Sequence, residues 1–290
     1  MVTLTSAQAQ QSERLTQAFK AQENREAAKI AAIVALTYQQ RVNVENPSTI
    51  ERWLTLVVSK LISSNDSGAR RAAAYFQAAR ALEVPDAPRF SAAASIGTVD
   101  EGVRESLLTV GPYAVTNKVN KAREAGVKPA EIQVIKQRAN REAVRSLAAS
   151  TIRHAQSGSR QTIDDNARQD RTALGWIRVT KASPCYFCAL LASRGVQWRP
   201  YSEGAFDESN ARFSGDGNAK VHDECGCAMK PVWSDNDPLL EKSESFLDMW
   251  QTWGNGTSME AVRNFRVGYE HFQKTGESLT PAQIAAIRRV

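Results

Sequence analysis

With 290 residues, 42% of them hydrophobic and 23% charged, the chain is close to the globular average, which excludes a disordered or fibrous class and allows a core without disulfides. The formal net charge of +6 permits contact with nucleic acid or an acidic partner without requiring it. No basic stretch followed by an apolar one opens the sequence, and the longest apolar runs, residues 30–36 and 54–58, fall far short of the roughly 20 needed to cross a bilayer, so a cytosolic chain with no membrane contact is expected.

In chain order, residues 6–40 are rich in Ala, Gln, Glu, Lys and Arg, with Leu15, Phe19, Ile30, Ile33, Val34 and Leu36 at roughly helical spacing; one long helix or a broken pair is expected. Asn46-Pro47-Ser48-Thr49 supplies a turn and an N-cap for a second helix bearing Trp53, Leu54, Val57, Val58 and Leu61 on one face. Asn65-Asp66-Ser67-Gly68 reads as a break before a third helix over residues 72–82, which a proline-bearing loop at 84–88 ends. Residues 100–125, interrupted at Gly111-Pro112, and 129–154, opened by Pro129, predict two more helices. Around Ser157-Gly158-Ser159 the texture changes, and β-type runs follow at 176–179, 196–198 and 229–233 between Gly- and Asp-rich loops. Helices are expected again at 239–253 and 258–274, the latter stopped by Gly276, with a short final helix in the tail. The expected fold is α+β: a mainly helical region over residues 1–154, a small metal-stapled α+β module over 155–235, and a helical segment over 236–290.

All 4 cysteines of the chain fall in that middle module, as Pro184-Cys185-Tyr186-Phe187-Cys188 and, further on, His222-Asp223-Glu224-Cys225-Gly226-Cys227. In a cytosolic chain such a cluster reads as metal or redox chemistry before it reads as disulfides. A Cys-x-x-Cys turn points two thiolates at one ion about 2.3 Å away, which suits structural zinc. The second half offers His222, Cys225 and Cys227, one more than a closed tetrahedral site needs. The preferred set is Cys185, Cys188, His222 and Cys225, with Cys227 able to replace Cys225, since on a strand positions 225 and 227 share a face. A redox pair, a catalytic metal and free buried thiols are the competing readings. Zinc nucleobase deaminases combine His-x-Glu with Pro-Cys-x-x-Cys, but they place His-x-Glu first, and here the order is reversed.

Other residues carry weaker signals. Lys136, Arg138, Arg141, Arg145, Arg153 and Arg160 make one segment basic, which could serve phosphate contacts, although Glu131 and Glu142 interleave and a solvated helix face is the simpler reading. Trp176, Trp198 and Trp233 are expected to form the small core of the cysteine module, and Trp250 and Trp253 to pack in a helical core. A serine-type protease would need a histidine base, for which His154, near Ser150, Ser157 and Ser159, is the candidate.

Gly175-Trp176-Ile177-Arg178-Val179-Thr180, Pro-Cys-x-x-Cys, Ser193-Arg194-Gly195 and His-x-x-Cys-x-Cys, with Arg153-His154 and Gly158-Ser159-Arg160 upstream, resemble the tailed-phage minor head proteins of the Mu F-like class over roughly residues 145–235. The resemblance implies a head-morphogenesis protein, present in the host cytoplasm during assembly and then in the procapsid or virion head. Its implied partners are the portal protein, capsid or scaffold protein, and packaged DNA. Mycobacteriophage-type relatives are often labelled capsid maturation proteases, so cleavage of scaffold or capsid precursor is one alternative function, and a DNA-binding packaging factor is another. The commoner family form is His-Pro-Asn-Cys-Arg-Cys; the departure at Asp223, Glu224 and Gly226 touches functions resting on the missing arginine more than the metal geometry.

Overall fold

The computed structural model describes residues 2–97, 102–196 and 225–288. It is mainly helical with a small two-stranded sheet and C-terminal helices, the α+β arrangement expected. Helix α1 spans Ser6–Arg41, where Thr5 and Gln8 close a reciprocal capping box, and α2 spans Pro47–Glu83 behind Asn46, whose side chain accepts from the Ser48 amide. Helix α3 (Gly102–Leu108), a π-turn (Thr109–Tyr113) and α4 (Ala114–Glu124) follow, then α5 (Pro129–Ala155) and α6 (Ser157–Gln169). The interruption expected at Gly111-Pro112 is the π-turn, which absorbs a proline that cannot donate to the helix ladder.

The break expected at residues 65–68 is absent: α2 runs straight through it. Those polar and small residues serve packing. Asn65 is buried and donates from Nδ2 to the His154 carbonyl at 3.0 Å and to Ser157 Oγ at 2.7 Å, tying α2 to the α5–α6 junction. The approach is so close that a Cβ on Gly158 would lie 2.4 Å from Asn65 Oδ1 and 2.7 Å from its carbonyl oxygen. Helix α6 itself was not expected; its Ser-Gly-Ser start resembles a loop locally, and its helicity is supported by the buried face carrying Ile163 and Ala167.

Strand β1 (Gly175–Val179) pairs antiparallel with β2 (Ala228–Val232), Gly175 opposite Val232 and Val179 opposite Ala228, and every residue of both is buried. Val196 of the second β-type run lies in a bend, and Gln197 and Trp198 fall outside the described residues. Helices α7 (Tyr186–Ala192), α8 (Pro238–Trp253), α9 (Ser258–Thr275) and α10 (Pro281–Ile287) complete the fold, and Gly276 ends α9 in the left-handed region at φ 75° as expected. Among the described residues no helix is long and apolar enough to cross a membrane.

Among the described residues, the three largest apolar clusters hold most of these elements. The first joins α1, α2, α4 and α5 through Val34, Trp53, Leu54, Val115 and Leu147. The second places Trp176 and Trp233 against Phe19, Phe76 and Ile163, so these tryptophans belong to a core shared with α1, α2 and α6 rather than to one private to the cysteine module. Their indole N–H groups find Asp164 at 2.7 Å and Asp170 at 2.9 Å. The third joins α7 to α8, α9 and α10 through Leu190, Phe246, Trp253 and Phe265, with Trp250 packed against it, as core packing of that pair requires.

Candidate metal centre

Cys185 is the N-cap of α7, its sulfur accepting from the Cys188 amide at 3.4 Å, so the Cys-x-x-Cys segment forms the first turn of that helix. Cys225 and Cys227 lead into β2. The Sγ atoms of Cys188, Cys225 and Cys227 lie within 4.8 Å of one another, all three residues buried, and half-buried Cys185 packs against them. Cys188 and Cys225 stand 3.8 Å apart, sulfur to sulfur. That is the edge, about 3.8 Å, of a tetrahedron of thiolates each about 2.3 Å from zinc, and nearly twice the length of a disulfide bond. None of the four cysteines is in a disulfide. Three buried cysteines this close together could bind a metal.

Both Cys225 and Cys227 therefore reach the cluster, where the spacing allowed either. His222 lies outside the described residues.

The surroundings come from distant parts of the chain. Arg160, buried on α6, donates from Nη2 to the carbonyls of Cys225 at 2.8 Å and Cys227 at 3.4 Å and to Gln156 Oε1 at 2.7 Å. Gln156 in turn donates to Asn24 Oδ1 at 2.8 Å, and Asn24 Nδ2 to the Gly226 carbonyl at 3.2 Å. Lys20, on the same face of α1, donates to the Thr180 carbonyl at 2.5 Å. From the other side, the Tyr269 hydroxyl on α9 donates to the Pro184 carbonyl at 3.0 Å, next to Cys185. Such outer contacts orient ligand-bearing backbone and are as much part of a metal site as the ligands.

The sulfurs are electrostatically unequal. Hydrogen bonds from Cys188 and Cys227, helped by the Arg160 and Arg178 guanidiniums, hold Cys225 well below the usual thiol range. Cys188 is pushed up because its hydrogen bonds to Cys185, Cys225 and Cys227 all favour the protonated thiol. Cys227 is drawn down by Cys188, but its bond to Cys225 and burial outweigh this and push it up to about 11.

The remaining candidates sit elsewhere. His154 is buried at the end of α5, its Nε2 3.1 Å from Arg153 Nη2. Ser150 Oγ pairs with Ser106 Oγ at 2.9 Å, Ser157 Oγ donates to the His154 carbonyl and Ser159 Oγ to the Gln156 carbonyl, so each neighbouring serine has another partner. Of the basic residues, Lys136 pairs with Glu45 at 3.0 Å, Arg138 with Glu142 at 3.1 Å, and Arg160 belongs to the cysteine site; Arg141 and Arg145 are exposed. Lys20, Asn24, Gln156 and Tyr269 went unrecognised in the sequence. For Lys20 the signal was its place on the stripe of Ser12, Thr16, Phe19, Glu23 and Ala27, which repeats at helical spacing and is buried.

The comparisons with curated proteins and with solved structures found no match. A family model described as VG15 protein matches residues 6–252, from the start of α1 to the last turn of α8 and across all four cysteines. The chain belongs to this VG15 family of viral proteins.

Proposed function

We propose that the protein is a minor head component of a tailed phage, acting at the portal during procapsid assembly, and that a structural zinc ion in the cysteine cluster fastens α7 and the β1–β2 sheet to the helical bundle. The observation that carries this reading is the placement of Cys188, Cys225 and Cys227: three buried sulfurs at thiolate–metal spacing, on backbone held by α1 and α6. The burial of these three sulfurs favours a structural ion over a catalytic one, which needs an open position. The bound ion supplies cross-linking energy that a two-stranded sheet cannot provide alone. Membership of a viral family and the Mu F-like motif pattern support the assembly role.

The test is elemental mass spectrometry of the purified chain together with co-purification of the phage portal protein. One zinc per chain, lost in Cys188→Ser along with portal association, is the expected result. A metal-free wild-type chain would remove the structural-ion part, and a zinc-loaded chain that never associates with portal, scaffold or capsid protein would remove the assembly part.

A further inference from the structure

Among the described residues, neither of two buried cations beside the cysteines has an acidic partner. Lys20 is 9% exposed and its ammonium meets the Thr180 carbonyl; Arg160 is 6% exposed and meets only carbonyl and amide oxygens, with Nε unpartnered. They line one small cavity together with Cys227, Asn24 and Gln156. The carboxylate on that cavity, Glu23, is matched by Arg71 at 2.7 Å. Buried cations are strongly disfavoured without a counter-charge, so this pair calls for an anionic neighbour. The sulfur cluster is the group in position to be one: Cys227 lines the same cavity as Lys20 and Arg160, and Arg160 Nη2 sits on the carbonyls of Cys225 and Cys227.

We infer that the metal is held by four thiolates, Cys185, Cys188, Cys225 and Cys227, as a dianionic centre, and that Lys20 on α1 and Arg160 on α6 are the positioning residues whose charges match it. Four thiolates around a divalent ion leave about two negative charges, whereas three thiolates and a neutral histidine leave about one. The former comes closer than the latter to matching the cations around these sulfurs, Lys20, Arg160 and the buried Arg178. This deepens the structural-metal reading above and rests on it. It also explains why Cys225 and Cys227 both turn inward when one would suffice for a histidine-containing set.

The test uses the full chain loaded with cobalt(II), whose thiolate-to-metal absorption scales with the number of bound sulfurs. With cobalt(II) in excess, enough to fill a site too weak to keep zinc through purification, replacing any one of the four cysteines by serine should lower that absorption by about one quarter, and His222→Ala should leave it and the ligand-field bands unchanged. A silent cysteine together with a spectral shift in His222→Ala would overturn the four-thiolate set. Absence of metal from the wild-type chain would instead overturn the parent reading. For the cations, Lys20→Met and Arg160→Met should weaken metal affinity about ten- to a hundredfold in chelator competition, while raising the melting temperature of the metal-stripped protein, because each removes an unmatched buried charge. A purely packing role would lower both quantities; that outcome, or unchanged affinity, would overturn the charge-matching role. Arg160→Lys, which keeps the charge, should retain most of the affinity and guards against a variant that fails to fold.

Discussion

Lys230 on β2 and Glu83 at the end of α2 lie 2.6 Å apart, Nζ to Oε1, with both side chains sealed from solvent. Asp237, the N-cap of α8, contacts the same ammonium, and Ser12 on α1 donates to the same glutamate, so one buried cation joins α1, α2, the sheet and α8. Removing one member of a buried ionic group strands its partners. Lys230→Met should lower the unfolding free energy by about 3–5 kcal/mol, read from urea denaturation. A loss below about 1 kcal/mol would mean the group is hydrated in solution.

The same group sets a pH dependence. Burial raises the Glu83 carboxyl above its ordinary 4.5, against the pull of Lys230 and Ser12. The folded chain therefore holds this proton more tightly than the unfolded chain does. Its contribution to stability is full below the ordinary value and is lost as pH rises through the raised one. Denaturation midpoints between about pH 4 and pH 8 should show that decline in the wild type and a flatter profile in Glu83→Gln. An identical slope in both would assign the effect to another group.

Gly158→Ala should destabilise by about 1–3 kcal/mol, because the new methyl group meets the Asn65 side chain and also its backbone carbonyl, which cannot rotate away. Thermal melts suffice to check this. Adding Asn65→Ala should not restore stability, since it also removes the amide that bonds the His154 carbonyl.

Tyr269→Phe removes the hydroxyl that holds the Pro184 carbonyl. A loss of about 1 kcal/mol is expected, with faster metal extraction by chelator, because the turn bearing Cys185 loses its fastening to α9. Unchanged extraction kinetics would show that α1 and α6 alone hold the site.

Local patterns foretold most of the helices because capping and periodicity are short-range effects. Asn46-Pro47, Pro129 and Gly276 each mark a helix end where the sequence places one. The misreadings at Asn65–Gly68 and Ser157–Ser159 have one cause. The same small polar residues that make turns also let two helices touch, and only the tertiary partner tells these uses apart. The cysteine pairs stood out because their spacing is itself the chemistry. Lys20, Asn24 and Gln156 did not, since a polar residue on a helix announces nothing until the carbonyl it meets is known.

Helix α1 is divided between partners made at different times. Its C-terminal half, with Val34 and Tyr38, packs on Trp53 and Leu54, which follow almost at once in the chain. Its N-terminal half meets α2 through Ser12 and Thr16 but is completed late: Lys20 needs Thr180, Asn24 needs Gly226, and Leu4, just before the helix, is held by Asn236 across 232 positions. As the chain leaves the ribosome, the Lys20 and Asn24 contacts stay unmade until the second cysteine pair has emerged, so completion of the packing around α1 follows synthesis of the metal site.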